Sequence, residues 1–348
     1  MRLIRFYFLA IGASMMLLNA CSDKSANTDN TTENADSAQG PAFIHALNAQ
    51  IEQDPSNAAL YHERAVKLYD SAYFKQAYAD AKKAAELAPD NAEYLFSLGQ
   101  AAFEVNEVAE AVSTLNNAVG KDPKMAKAWL KLAKIQFYLK RYDDSKRSLE
   151  ACTKENGELA EAYFIQALIK RDITDTASSI ANLQKAVSLN DSYFDAYMML
   201  GLLLTAQQNE LAIDYLNNAV RLDDSSVLAL YTRAQALQEF GLKKKNKEMI
   251  KNAAADYNRI IEINPNHAPS YYNLGMINFR LDQFENAVAH FNEAIIADEN
   301  YVDAYYMRGL SHQGIGNLSE AKANYEATLQ LDPNYTIARE MLELLGSR

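Results

Sequence analysis

Apolar and small side chains recur along the chain with a long, fixed period, and few β-branched residues alternate with polar ones. Pro55, Pro89 and Pro123 lie 34 residues apart, and Pro265 and Pro333 lie 68 apart. Gly (12) and Pro (7) are scarce overall, whereas Ala and Leu recur throughout. The lack of strand-like alternation predicts an almost all-helical protein, and the period is typical of a repeated helical hairpin.

Three positions of the 34-residue unit, numbered with Pro at position 32, tolerate few residue types. Position 4 is large and apolar in all eight units: Tyr61, Leu95, Trp129, Tyr163, Tyr197, Leu230, Tyr271 and Tyr305. Position 8 is only Gly or Ala: Ala65, Gly99, Ala133, Ala167, Gly201, Ala234, Gly275 and Gly309. Position 20 is only Ala or Ser: Ala77, Ala111, Ser145, Ser179, Ala212, Ala253, Ala287 and Ala321. Because two antiparallel helices approach closely only where side chains are small, positions 8 and 20 mark a helix–helix contact, with position 4 in the core beside it.

This unit resembles the tetratricopeptide repeat, and the resemblance covers residues 58–335. It implies an all-α fold, a right-handed α-solenoid of about eight helical hairpins. The repeats are predicted at 58–91, 92–125, 126–159, 160–193, 194–226, 227–267, 268–301 and 302–335. The fifth is one residue short near 207–209. The sixth has seven extra residues at about 241–247, which we expect to lengthen both helices of that hairpin by a turn.

The end hairpins of such a stack would each leave an apolar face uncovered, so a capping helix is expected on both sides. Residues 42–57 are predicted to form the N-terminal cap, with Phe43, Leu47 and Ile51 at helical spacing. Residues 336–348 are predicted to form the C-terminal cap. Its inward face is expected to carry Ile337, Met341, Leu344 and Leu345.

Residues 1–20 are predicted to be a lipoprotein signal peptide. Arg2 and Arg5 precede a run of uncharged residues, 6–18, that is too short to span a bilayer permanently. The letters LNAC at 18–21 resemble the lipobox of bacterial lipoproteins, which implies that Cys21 is lipidated and becomes the new N-terminus. The alternative is an ordinary cleavable signal followed by a chance Cys.

The segment after Cys21 is predicted to be a disordered tether ending at residue 41. Between residues 22 and 41 no apolar side chain is larger than Ala, so burial cannot offset the entropy of ordering. The lipoprotein resemblance implies outer-membrane sorting, because Ser22 stands where Asp would favour the inner membrane. The sequence therefore predicts an exported protein that is lipid-anchored in the cell envelope.

Charge and motifs argue against several functions. The formal net charge of −11 is the wrong sign for a nucleic-acid partner. No phosphate-binding Gly loop, G-x-S-x-G elbow or H-E-x-x-H motif occurs, and the five His have no ligand spacing. We therefore predict a protein that is not an enzyme and needs no cofactor or metal. The alternative is a catalytic site formed by acidic residues that the superhelix brings together, and we regard it as remote.

Once Cys21 is lipidated, Cys152 is the only thiol. It occupies position 27, where other repeats place Ala. We interpret it as a small buried core residue, with a reactive thiol as the alternative.

In the tetratricopeptide family the first helix of each hairpin lines the concave surface through positions 2, 5, 9 and 12. Position 5 reads His62, Phe96, Leu130, Phe164, Met198, Tyr231, Tyr272 and Tyr306. Position 12 reads Tyr69, Phe103, Phe137, Arg171, Thr205, Gln238, Phe279 and Gln313. The two positions are seven residues apart and so share one helix face. We call the eight position 5 residues, with Phe103, Phe137 and Phe279, the groove ladder, and predict that it binds a partner segment. The alternative is that these side chains are ordinary packing of the family.

The insertion in the sixth repeat is rich in lysine. The lysines of the insertion and its flank are Lys243, Lys244, Lys245, Lys247 and Lys251. One interpretation is a solvated helix extension. The other is a basic knob that meets an acidic partner or phosphate headgroups.

Together these features predict an envelope-anchored scaffold whose groove binds partner proteins in cell-envelope assembly. A constitutive structural subunit of a secretion, pilus or outer-membrane assembly complex is the second hypothesis. An enzyme is the third.

Overall fold

The computed structural model describes residues 41–346. In this part of the chain a 3-10 helix, Ala42–Ile44, precedes 18 α-helices. They are α1 (His45–Gln53), α2 (Ala58–Asp70), α3 (Phe74–Leu87), α4 (Ala92–Glu104), α5 (Val108–Lys121), α6 (Ala126–Tyr138), α7 (Tyr142–Glu155), α8 (Ala160–Asp172), α9 (Thr176–Leu189), α10 (Phe194–Ala206), α11 (Leu211–Leu222), α12 (Val227–Lys244), α13 (Lys247–Ile263), α14 (Ala268–Arg280), α15 (Phe284–Ala297), α16 (Val302–Gly314), α17 (Leu318–Leu331) and α18 (Thr336–Gly346).

The chain divides into two compact units, which meet in sequence at Glu107 and Val108. In the first unit α2 pairs with α3, α3 packs on α4, and α1 packs on α2. In the second unit the hairpins α6/α7, α8/α9, α10/α11, α12/α13, α14/α15 and α16/α17 stack in chain order. This arrangement confirms the predicted all-α architecture of paired hairpins.

The first helix of each hairpin begins at the residue predicted to open a repeat. These residues are Ala58, Ala92, Ala126, Ala160, Phe194, Val227, Ala268 and Val302. The turn that follows each first helix passes through a residue with positive φ: Ala72, Asn106, Lys140, Thr174, Gln208, Lys245, Asp282 and Gly316. A residue in the left-handed conformation ends the helix and lets the chain reverse direction. The hairpin turn therefore uses the same kind of backbone conformation in every repeat.

Small residues bring the two helices of a hairpin together, as predicted. All eight position 20 side chains have 0% exposure. A methyl group added to Gly275 would lie 2.6 Å from Cε1 of Phe291, so only hydrogen fits there. Where position 20 is Ser, its hydroxyl donates across the contact to the position 8 carbonyl: Ser145 to Ala133 at 2.8 Å and Ser179 to Ala167 at 2.9 Å.

Position 4 differs from the prediction in five of the eight repeats. Leu95, Tyr197 and Leu230 are buried, but Trp129 and Tyr163 are only partly buried. Trp129 Nε1 donates to the carbonyl of Pro123 at 2.8 Å, and the Tyr163 hydroxyl donates to the carbonyl of Gly157 at 3.2 Å. These hydrogen bonds tie each ring to the turn before its helix. The polar atom of the ring keeps the side chain near the surface. The fully buried aromatic side chains lie instead at position 24, in Tyr257, Phe291 and Tyr325.

The two irregular repeats keep the hairpin pattern. In the sixth, the positive-φ residue lies four residues later than the regular register places it. Helix α12 has 18 residues where the other first helices have 13, and α13 has 17 where regular second helices have 14. About one turn is thus added to each helix. In the fifth, the missing residue falls just after Gln208, and α11 is shortened to 12 residues.

Both predicted caps are helical, with shifted inner faces. At the first, Ile44, Leu47 and Ile51 are buried, whereas Phe43 is 46% exposed, because the 3-10 turn rotates the chain before α1. At the second, Ala338 is fully buried, whereas Ile337 and Leu344 are 38% and 58% exposed. Met341, Leu342 and Leu345 pack with it on Tyr325, so the inner face of α18 is turned from the prediction.

The predicted signal peptide, Cys21 and the tether lie outside the described residues. Across residues 41–346, no helix combines the length and apolar character needed to cross a bilayer.

Candidate functional site

The groove ladder of the second unit lies on the first helices α6, α8, α10, α12, α14 and α16. Its position 5 side chains are partly exposed, apart from Met198, which is 3% exposed and belongs to the core around Leu216. Phe137 and Phe279, the position 12 members in this unit, are also partly exposed. A row of apolar side chains is thus accessible on the first helices of this unit, interrupted at α10.

Three ladder tyrosines are each held between two other rings. Tyr272 lies 5.6 Å from Phe291 and 5.0 Å from Tyr301, measured between ring centroids. The other two sets repeat this geometry: Tyr231 with Tyr257 at 5.8 Å and His267 at 5.4 Å, and Tyr306 with Tyr325 at 5.8 Å and Tyr335 at 5.1 Å. Contacts on two sides fix the orientation of each ladder ring before any partner arrives.

The side chain at position 12 contacts the side chain at position 24 of the same hairpin in the last three repeats. The buried hydroxyl of Tyr257 donates to Oε1 of Gln238 at 2.9 Å, and that of Tyr325 donates to Oε1 of Gln313 at 2.8 Å. In the seventh repeat both positions are Phe, and Phe279 packs in the same cluster as Phe291. The two Gln residues at position 12 therefore satisfy buried phenols, which explains why they interrupt the apolar row in the sixth and eighth repeats.

One carboxylate lies among the tyrosines at the end of the ladder. Asp303 accepts a hydrogen bond from the Tyr335 hydroxyl at 2.8 Å. Burial, with a smaller contribution from Asp303, raises the pKa of Tyr272 and of Tyr301. Burial likewise raises the pKa of Tyr231 and Tyr306. All these phenols are therefore neutral hydrogen-bonding groups at ordinary pH, near the carboxylates of Asp298, Asp303 and Glu340.

The first unit carries the remaining ladder residues, His62, Phe96 and Phe103, all partly exposed. The ring of His62 lies 4.6 Å from that of Tyr94. Beside them, the Tyr69 hydroxyl donates to Glu104 at 3.1 Å. The position 5 side chain is thus braced by a neighbouring ring in this unit as well.

The lysines of the sixth repeat have two different roles. Lys243 Nζ donates to Oε1 of Gln208 at 2.8 Å, and Lys244 forms an ion pair with Glu210, so both brace the turn of the preceding hairpin. Lys245 is the left-handed turn residue, with φ of 55°. Lys247 and Lys251 are exposed on α13.

Cys152 is fully buried beside Leu149 and Ile165. Burial raises the pKa of its thiol to about 11, the opposite of what a nucleophile needs. Within residues 41–346, no group of three or more His, Cys, Asp or Glu side chains is placed to hold a metal ion.

The residues at the end of each repeat were missed by the sequence analysis. Tyr193, His267, Tyr301 and Tyr335 each stack on the position 5 residue of their own repeat, as in the pair Phe164–Tyr193 at 4.9 Å. The sequence signal that could have revealed them is an aromatic residue directly before the first helix of the next repeat, or directly before the C-terminal capping helix. Position 34 lies far from position 5 in sequence, so only the closed hairpin brings the two rings together.

Tetratricopeptide repeat models match residues 62–126 and 98–145, residues 256–289, and residues 302–335. No curated protein matches the chain significantly. Two solved structures share its fold. The C-terminal part of a TPR repeat-containing protein from Cytophaga hutchinsonii is 19% identical with a TM-score of 0.59, and the match covers 70% of this chain and 98% of that one. PilF of Pseudomonas aeruginosa is 16% identical with a TM-score of 0.53, and the match covers 62% of this chain and 94% of that one. The repeat matches and the paired hairpins together identify this chain as a tetratricopeptide repeat protein.

Proposed function

We propose that the protein is an envelope-anchored adaptor whose groove ladder binds a segment of a partner protein. The observation that carries the binding claim is the way the ladder tyrosines are held. Tyr231, Tyr272 and Tyr306 stay partly exposed although each is packed between two other rings. Rigid, half-exposed aromatic rings give contact area at little cost in entropy, which is why such rings dominate protein-binding surfaces.

The composition of this surface indicates what kind of segment it takes. Apolar rings alternate with amide groups along the first helices, so the segment needs apolar side chains for the rings. It also needs backbone or side-chain polar groups for the phenol hydroxyls and for Asp303. We propose an extended or helical stretch of a protein, with a basic residue where it passes Asp303.

The anchoring claim rests on the sequence of residues 1–41. A short apolar run, the LNAC letters at 18–21 and an unstructured composition up to residue 41 support a lipid-anchored protein on a flexible tether. Twenty flexible residues span about 25 Å on average, enough to keep the hairpins clear of a membrane surface. Assembly of the envelope, at the outer membrane, is the process we propose for such an adaptor.

Site-specific photo-crosslinking in growing cells tests the binding claim and exposes the partner. A crosslinking residue at Arg280, which is exposed and close enough to Tyr272 for its charge to offset part of the rise in the pKa of Tyr272, reports on the groove. The same residue at Lys322, exposed on α17, is the matched control. We expect a discrete adduct from position 280 that disappears in a Tyr272→Ala/Tyr306→Ala background.

The crosslinking result can go against the proposal in two ways. Equal adducts from positions 280 and 322, unaffected by the double substitution, would place binding outside the ladder. An adduct to one complex that still forms when irradiation follows a long chase with unlabelled protein, which shows that the bound chain had not exchanged, would favour the constitutive subunit.

A further inference from the structure

Three arginines occupy position 7 of their repeats and make the same pair of contacts. They are Arg64 on α2, Arg233 on α12 and Arg308 on α16. Each reaches an Asn carbonyl 16 residues earlier through Nη1: Asn48 at 2.8 Å, Asn217 at 3.0 Å and Asn292 at 2.8 Å. Each also reaches the second helix of its own hairpin, so the guanidinium joins the helix before its own to the helix after it.

The partner on the second helix differs in charge. Arg64 binds both carboxylate oxygens of Asp80 at 2.6 and 2.7 Å, and Arg233 binds both of Asp256 at 2.8 and 2.7 Å. In the eighth repeat the equivalent residue is Asn324, which accepts only from Nε of Arg308, at 2.8 Å. Within residues 41–346, Arg308 has no ion pair, and two of its five donors are satisfied.

The environment of Arg308 makes the absence of a carboxylate partner unfavourable. Its guanidinium stacks over Tyr305 at 5.4 Å from the ring centroid, which fixes its position. Burial lowers the pKa of Arg308, whereas the hydrogen bond to Asp80 raises the pKa of Arg64. A half-buried cation gains most from an anion that approaches its free edge.

A cavity of about 560 Å³, largely open to solvent, lies beside Arg308, between α15, α16 and α17. Its walls include Asn292, Asn324 and His312. The Nδ1 atom of His312 is buried and has no hydrogen-bond partner among the described residues. A volume of this size suits a small molecule rather than water alone. The cavity also lies away from the ladder, because positions 5 and 7 point to opposite sides of a helix.

Three glutamates restrict what the cavity accepts. Glu285, Glu293 and Glu320 line it and are exposed. A simple anion would be repelled by them on the way to Arg308, and a simple cation would leave the guanidinium unpaired. A molecule that carries a carboxylate and an ammonium group satisfies both.

We propose that this cavity binds an amphoteric molecule of amino-acid or short-peptide size. Its carboxylate pairs with Arg308 in the place that Asp80 and Asp256 fill in the other repeats, and its ammonium group faces the glutamates. This inference is independent of the groove.

Isothermal titration of the full-length protein in detergent with triglycine, which has both termini free, tests the proposal. The decisive variant is Asn324→Asp, which supplies Arg308 with an internal carboxylate as in the first and sixth repeats. We expect it to stay folded, by circular dichroism, and to weaken triglycine binding at least about tenfold. Asp256→Asn, the reverse change at a distant pair, is the matched control and should leave triglycine affinity unchanged.

Two blocked peptides and free glycine complete the titration. Acetyl-triglycine lacks the ammonium group and triglycine amide lacks the carboxylate, so both should bind at least about tenfold more weakly than triglycine. Titration with glycine shows whether a single amino acid is enough for binding. Binding of either glycine or triglycine supports the proposal. Equal affinity of the parent and Asn324→Asp would overturn it, as would equal binding of either blocked peptide or no binding of triglycine and glycine at tens of millimolar.

Discussion

The ring of Tyr272 lies against the ring of Tyr301, with centroids 5.0 Å apart and planes inclined by 33°. One ring comes from the first helix of the seventh hairpin and the other from the last residue of the same repeat. The contact orders a side chain that is still partly exposed. Such a residue contributes to a surface more than to the core.

The ladder tyrosines should therefore be less important for stability than core residues. Tyr272→Ala with Tyr306→Ala should cost, per substitution, less than the roughly 3–5 kcal/mol typical of a fully buried aromatic. Leu149→Ala, at a side chain with 0% exposure, is the core comparison and should cost about 2–5 kcal/mol. Urea denaturation followed by circular dichroism measures both. A double variant that unfolds as readily as a buried-aromatic deletion would show that the tyrosines are packing residues.

Gly275 should tolerate no side chain. Its added Cβ would lie 2.6 and 2.7 Å from two ring atoms of Phe291, whose side chain is fully buried and cannot retreat. Gly275→Ala should destabilise the protein by about 1–3 kcal/mol through overpacking. Gly120→Ala, where no atom lies within 4 Å of the added methyl, is the control. It should be neutral or stabilise its helix by up to about 1 kcal/mol. Equal effects of the two substitutions would mean that the hairpins can separate freely at position 8.

Stability should fall in mild acid partly through His267. Its Nδ1 accepts the backbone N–H of Ser270 at 3.2 Å and so caps α14. Burial lowers the pKa of His267, and also that of His290 and of His312. The unfolded state therefore binds more protons as pH falls through about 6.5, and stability contributed by the neutral rings is lost below that pH.

Thermal melting of the parent and of His267→Asn at pH 7.5 and 5.5 measures this contribution. Asn can cap the helix but does not titrate, so the variant should lose less melting temperature between the two pH values than the parent. His290 and His312 should leave a residual drop. An identical fall in melting temperature in the parent and the variant would show that His267 does not contribute to the pH dependence of stability.

Cys21 should carry the membrane anchor. The apolar run before it is too short to hold the protein in a bilayer, whereas acyl chains on the Cys give about 0.8 kcal/mol for each buried methylene. Cys21→Ser should leave the protein soluble or poorly processed in a fractionation of cell membranes. Fractionation of this variant with membranes at the parent level would contradict the lipoprotein prediction.

The sequence predicted the hairpins well because their spacing is dictated by local rules. A residue as small as Ala65 or Gly275 is needed wherever helices touch, and that need repeats every 34 residues regardless of what surrounds it. The start of all eight first helices followed from this register alone.

Features that depend on the closed hairpin were not predictable in the same way. Trp129 was expected in the core, but the carbonyl of Pro123 draws its indole N–H to the surface. The face of α18 turned because Ala338, rather than a larger residue, fits against Tyr325. The pairing of Tyr272 with Tyr301, and the missing carboxylate beside Arg308, became visible only when residues distant in sequence were seen together.

The affinity of the partner captured from position 280 is the most direct test of the central claim. Its dissociation constant should be measured with the parent, with Tyr272→Ala/Tyr306→Ala, and with Leu149→Ala at a temperature where that variant is folded. The account predicts a loss of about 2 kcal/mol or more for each ladder ring, which is roughly thirtyfold per ring and about a thousandfold in the double variant, and parent affinity in Leu149→Ala. Parent affinity in the double variant would contradict the claim that the ladder is the binding surface.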